Sequence, residues 1–258
     1  MNQVRGNLLL FLACASLIRA QAQTIVNTET LLLDAEEAFQ WTTGLAGDFS
    51  HGNSKVVDLS LDAGAAWTKE LWTLKGAAAW ARLAEDGNDI QANAFAQLRI
   101  TAGDVSVAQP YAFVQTSSNN VLLLNQRNLA GLGVKRRLCD GESLFVEMSL
   151  GVFWEGETYT DESGEAPKDL VRNSVILSAG WDVSEDLLLR LTTYVQSAYS
   201  DFSDSRVFAE CSVDMALTSK VALEWNAGFR WDGDPHGGLG SWDLGNTVGL
   251  RLGLNDER

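Results

Sequence analysis

Residues 207–232 read VFAECSVDMALTSKVALEWNAGFRWD, and taken two at a time they decide the fold. One phase before the turn is Val207, Ala209, Cys211, Val213, Met215 and Leu217; the other holds Phe208, Glu210, Ser212, Asp214 and Ala216. After Thr218-Ser219-Lys220 the pattern resumes with Val221, Leu223, Trp225, Ala227, Phe229 and Trp231. Between these stand Ala222, Glu224, Asn226, Gly228, Arg230 and Asp232. A period of two marks strands with one apolar and one polar face. Each run is about twice the five or six residues of an ordinary globular strand. It matches instead the roughly 9–11 residues that a tilted strand needs to cross a bilayer, with lipid-facing and lumen-facing positions alternating. The hairpin predicts a transmembrane β-barrel, with Leu223 toward lipid and Asn226 toward the lumen.

Outward from this hairpin the rhythm repeats. Strands are expected over 40–49, 55–67, 71–83, 90–101, 105–116 and 123–138, then 144–157, 170–183, 187–199, 206–217, 221–232 and 242–254. That is an all-β, antiparallel up-and-down barrel of about twelve strands. In the sixth strand Lys135, Arg136 and Arg137 break the alternation and fit a membrane boundary. Connections after even-numbered strands are short, such as Thr68-Lys69-Glu70 and Ser184-Glu185-Asp186; those after odd-numbered strands are longer or more variable. Antiparallel neighbours would gather the short turns at one end, as outer-membrane barrels do with their periplasmic turns. The tryptophans sort in the same way. Trp41, Trp67, Trp72 and Trp181 fall near the short-turn end, and Trp80, Trp154, Trp231 and Trp242 toward the long-loop end. Two aromatic belts at membrane–water interfaces would have this distribution.

The N-terminus reads as a secretory signal over 1–22, with Arg5 as the positive region, an apolar core from Leu8 to Ile18 and Ala20-Gln21-Ala22 before the cleavage point. Cys14 offers a lipoprotein alternative, disfavoured by Phe11-Leu12-Ala13 as a lipobox and by the apolar residues beyond it. Loss of Arg5 and Arg19 with the signal moves the net charge from −15 to −17. That balance excludes nucleic acid as a partner. With only three prolines and no linker-like stretch, the remainder is one domain, with 23–39 as an N-terminal periplasmic arm or short helix and 40–258 as the barrel. Apolar content of 46% with mean hydropathy of −0.05 is too high for disorder and fits strands that dilute their apolar residues by alternation. Cys139 and Cys211 are expected as free thiols.

Catalytic and metal chemistry finds little support. His51 and His236 both fall in expected loops, where solvation is the simplest account; no Gly-x-Ser-x-Gly elbow is present. Asp232, Asp234 and His236 could meet a cation, but a turn rich in Gly, Pro and Asp explains them as well. No catalytic residue, cofactor or metal is assigned. The polar phase is more informative. Asp58, Asp62, Arg99, Glu147, Arg190, Asp214, Glu224, Arg230 and Arg251 all fall on it, as do Lys75, Arg172, Asp182 and Glu210. Charge in such a place has to be paired or hydrated. An interior ion-pair network that fills the barrel is the favoured reading, with a narrow polar pore for ions or small polar solutes as the other.

Several segments resemble a bacterial outer-membrane family of unknown function, labelled salt-induced outer-membrane proteins. The opening hairpin at 44–54, the strand Arg127-Asn128-Leu129-Ala130-Gly131-Leu132-Gly133, the strand at 144–151, residues 201–206 and the closing Pro235…Asp243…Gly249-Leu250 carry the resemblance. It implies an outer-membrane barrel without established catalytic residues, with membrane lipids and the barrel-assembly machinery as partners and a structural or envelope-stress role. The chain departs from many such barrels at its end, Leu254-Asn255-Asp256-Glu257-Arg258, which lacks a terminal aromatic residue. A small passive channel and a secreted, soluble carbohydrate-binding β-sandwich are the competing functions.

Overall fold

The structure, a computed structural model, describes residues 25–31, 39–51, 55–160, 168–218 and 221–252. The expected signal segment, the tip of the loop after the seventh strand and the C-terminal residues 253–258 lie outside these. Twelve strands follow one another: β1 (Phe39–His51), β2 (Lys55–Lys69), β3 (Trp72–Glu85), β4 (Asn88–Ala102), β5 (Gln109–Asn119) and β6 (Leu124–Asp140). The second half holds β7 (Leu144–Tyr159), β8 (Lys168–Ser184), β9 (Leu187–Ala198), β10 (Ser205–Thr218), β11 (Val221–Asp232) and β12 (Trp242–Leu252). Each pairs antiparallel with the next in chain order, so the topology is up-and-down throughout. Pairing runs unbroken from β1 to β12; a β1–β12 ladder is not among the described pairings.

The sheet is strongly curled. Thr28 Oγ1 lies 2.9 Å from Arg99 Nη2 on β4 and 3.3 Å from the Tyr194 hydroxyl on β9. Strands stand about 4.8 Å apart, so five steps would separate β4 from β9 by roughly 24 Å in a flat sheet. Both strands reach one threonine only because the sheet wraps around it.

Alternation sorts the two faces. On β8 the outward Val171, Val175, Leu177 and Trp181 are exposed, whereas the inward Arg172, Ser174, Ile176 and Ser178 are buried. The same phase runs through the deciding hairpin, where Val207 pairs with Trp231, Ala209 with Phe229 and Val213 with Trp225 on the outer face. All nine tryptophans are exposed on the outside. Trp231 and Trp242 are direct cross-strand partners at the long-loop end.

Two of the expected strands need correction. The sixth strand keeps its alternation: Lys135 and Arg137 are half-buried and turn inward, where Glu147 receives both, and Arg136 alone points out. The fifth strand begins at Gln109, not at residue 105. Asp104 explains the delay, because its carboxylate accepts from the Ser106 amide at 2.7 Å and its carbonyl accepts from the amides of Val107 and Ala108. A self-capping aspartate of this kind makes a turn where residue type alone suggests a strand.

Glycines on the inner face make room for rings. A methyl group on Gly133 would sit 2.5 Å from the Tyr111 ring and from the Leu150 carbonyl oxygen; one on Gly180 would sit 2.2 Å from the Phe145 ring. Tyr111 and Phe145 therefore lie flat across the sheet.

The N-terminal segment is the largest departure from expectation. Residues 25–31, including the single turn α1 (Thr28–Leu31), do not extend away as an arm; they lie inside the curl. Four residues cannot hold a helix alone, so the surrounding strands must hold this one. Ile25 is buried against Ile176, Tyr194 and Phe208, and its neighbour Val26 packs on Ala77 and Phe95 from the opposite wall. An apolar pair beside polar Asn27, Thr28 and Glu29 suits an interior that changes from rings to charges along its axis.

Candidate functional site

The interior is the candidate site, and it divides into three levels. At the long-loop end three arginines meet two glutamates with almost no solvent. Arg127 Nε donates to Glu155 Oε1 at 2.6 Å, and Arg172 Nε also donates to Glu155. Arg206 Nη1 bridges Glu155 Oε1 at 3.1 Å and Glu157 Oε1 at 2.8 Å. Arg172 Nη1 reaches the Asp204 carbonyl at 2.8 Å, and Arg206 Nε lies 3.2 Å from Asp232. The side chains of Arg127, Arg172, Arg206, Glu155 and Glu157 are all at most 3% exposed. Desolvation of five ions costs several kcal/mol each and is offset only by close geometry and saturated hydrogen bonding. The forked guanidinium suits this task because it can bond several carboxylates in one plane.

Tyr159 completes this level by donating to Glu157 Oε2 at 2.6 Å, and His236 stacks on the Tyr159 ring at 3.6 Å. His236 is buried, not a solvated loop residue as expected. Asp232 and Asp234, considered above for a cation, are engaged by Arg206 and by Lys168, the latter at 2.6 Å.

The middle level is apolar and aromatic, with Phe95, Phe113, Phe153, Ile176, Tyr194 and Phe208 around Ile25 and Val26. Gln97 Nε2 donates to Gln115 Oε1 at 3.1 Å. A space of about 40 Å³ remains beside Ile25. Side chains occupy most of this level, and the gap has room for water.

The short-turn end opens into a charged vestibule of about 150 Å³. Lys75, Arg99, Lys135, Arg137 and Arg190 line it, with Glu29 and Glu147 as its carboxylates. Glu29 comes from α1 and is clamped: Arg99 Nη1 donates to Oε1 at 2.7 Å and Lys135 Nζ to Oε2 at 2.9 Å. Burial alone would raise its pKa, but the two cations prevail and hold it at about 2. Arg137 Nη2 donates to Glu147 at 2.7 Å, and Lys135 also contacts Glu147. Arg99 lies over the Tyr111 ring, 5.2 Å from its centre. Higher on the segment, Asn27 donates to Glu210 at 2.7 Å and accepts from the Tyr194 hydroxyl at 3.2 Å.

Of the charges expected on the inner phase, Arg99, Glu147, Arg190 and Asp214 gather at this vestibule, Arg190 pairing with Asp214 at 2.9 Å. Arg230 is at the other end, held by Asp243, and Arg172 joins the buried cluster. Asp58 and Asp62 stay on β2, where Asp58 stands opposite Asp48 and Asp62 closes over Gly44. Glu224 stands opposite Asp214, and Arg251 falls in register with Ala222. Sequence reasoning missed Arg127, Glu155, Glu157, Arg206 and Glu29. For the first four the signal was present, since the inward phase of β6, β7 and β10 runs into the strand ends that hold them. Glu29 carried no such signal, because a segment without period two has no assigned face.

Residues 43–253 match the family described as "Protein of unknown function, DUF481". No curated protein matches the chain in sequence. In structure it is similar to the NanC porin, with a TM-score of 0.51 at 12% identity over 83% of this chain and 99% of that one. The translocator domain of the autotransporter NalP from Neisseria meningitidis is also similar, with a TM-score of 0.44 at 11% identity over 84% of this chain and 87% of that one. The porin likeness supports the barrel fold and nothing finer.

Proposed function

Because the chain belongs to the DUF481 family of unknown function, its role has to come from its own geometry, and we propose an outer-membrane β-barrel with a structural role and a sealed interior. The location is supported by long alternating strands, by the apolar outer face and by tryptophans near both rims. Lipids of the outer membrane are then its solvent, and the barrel-assembly machinery inserts it after signal cleavage. The observation that carries the role is the cluster of Arg127, Glu155, Glu157, Arg172 and Arg206, whose side chains lie almost out of reach of solvent at the long-loop end. No catalysis and no cofactor belong to this reading.

Planar-bilayer recording tests it. The purified protein should insert without single-channel steps; steady ohmic steps would contradict a sealed interior. A contribution to withstanding salt or osmotic stress extends the reading, supported only by the family resemblance, and predicts slower growth of a deletion strain after a salt upshift. A passive channel for ions or polar solutes is the second reading, favoured by the charged vestibule at the short-turn end.

A further inference from the structure

We propose that the vestibule at the short-turn end is a binding site for small organic acids, and that Glu29 occupies it as a built-in competitor. This goes beyond the structural role and does not depend on conduction. The chain is acidic, with 19 basic residues against 34 acidic ones. Yet five of those basic residues, Lys75, Arg99, Lys135, Arg137 and Arg190, line this one cavity, against the carboxylates of Glu29 and Glu147 and of Asp214 beside Arg190. Such a concentration of one sign inside low-dielectric walls raises the local concentration of the opposite ion.

Glu29 shows how an anion would be held. Its two oxygens are divided between Arg99 Nη1 and Lys135 Nζ, the arrangement a free carboxylate would take. It is delivered by a short segment, not by the wall, so it can leave without breaking a strand ladder. Arg99 is only 7% exposed, and its Nε is buried with no acceptor. An unmet donor on a buried guanidinium is costly, and a ligand with more acceptor oxygens than Glu29 would meet it. The adjoining space of about 150 Å³ takes a few-carbon acid, whose second carboxylate would compete with Asp214 for Arg190 or with Glu147 for Arg137.

Calorimetric titration of the full mature chain in detergent with succinate tests this. The wild type should bind weakly, and Glu29→Gln should bind about fivefold more tightly or better, because the competing carboxylate is gone. Arg99→Gln should weaken binding about tenfold or more; if that variant does not fold, Lys135→Gln replaces it with the same expectation. Saturating succinate should also speed amide exchange in residues 25–31 of the wild type as the segment is displaced. Absence of binding to every form, equal affinity of wild type and Glu29→Gln, or unchanged exchange in residues 25–31 would each overturn the proposal.

Discussion

Arg206 Nη1 on β10 lies 2.8 Å from Glu157 Oε1 on β7, with two whole strands between them in the sheet. The pair therefore ties the wall across the interior, not along it. Its neighbours do the same: Arg127 on β6 reaches Gln196 on β9 at 3.5 Å, and Arg172 on β8 reaches Asp204 beyond β9. The cluster is a set of cross-braces, and removing one partner leaves the other's charge buried without compensation. Glu155→Ala should cost about 3–5 kcal/mol. Arg82→Ala breaks the Arg82–Asp89 pair, whose side chains are 44% and 42% exposed, and should cost about 0–1 kcal/mol. Urea unfolding in lipid vesicles compares them; equal losses would contradict the burial assigned to the cluster.

The outer face gives a depth-dependent prediction. Val175 sits mid-strand on β8 with Leu150 and Val195 as its partners on either side. Val175→Arg places a charge near the centre of the apolar band and should cost about 2–4 kcal/mol. Leu223 also faces outward but is the third residue of β11, close to the short turn. Leu223→Arg should cost about 0–1 kcal/mol, as near an interface. Asn226→Arg, on the inner phase, should be tolerated. Folding titrations from urea into vesicles give all three values.

Two inner-face glycines should respond differently to rescue. Gly180→Ala collides with the Phe145 ring only, whereas Gly133→Ala collides with the Leu150 carbonyl as well as with Tyr111. Overpacking of this kind costs about 1–3 kcal/mol. Adding Phe145→Leu should restore most of the stability of Gly180→Ala, and adding Tyr111→Leu should restore little to Gly133→Ala. Gly245, with nothing near it, should accept alanine without loss.

Glu29 sets a pH dependence. Its carboxyl is held at about 2 in the folded chain, below an ordinary glutamate near 4.5. A depressed carboxylate contributes stability that is complete above the unfolded value and fades as pH falls through the folded one. The melting-temperature difference between wild type and Glu29→Gln should thus be full at pH above about 5 and shrink steadily toward pH 2. A difference that stays constant across this window would mean that the Arg99–Lys135 clamp does not operate in solution.

Much of the fold is legible in the sequence because membrane barrels repeat one constraint along the whole chain. Period two assigns a face to nearly every residue between 39 and 252, and β11 falls on residues 221–232 as expected. The interior charges follow from the same phase. Which charges meet does not, because Arg206 and Glu157 are 49 residues apart and join only through the curl of the sheet. The N-terminal segment was illegible for another reason. Its seven described residues are held by β4, β6, β9 and β10, and tertiary contacts of that kind leave no periodic mark. Burial of His236 was hidden likewise, since a loop residue that folds back on Tyr159 looks like any other loop residue.

The central claim is that the apolar outer face meets hydrocarbon, and tryptophan quenching by lipids brominated along their acyl chains tests it most directly. All nine tryptophans are exposed on that face. In vesicles of brominated lipid the protein should lose most of its tryptophan emission relative to unbrominated vesicles. Emission that stays the same in both would mean that the face is covered by protein or water, and the barrel would not be a membrane protein.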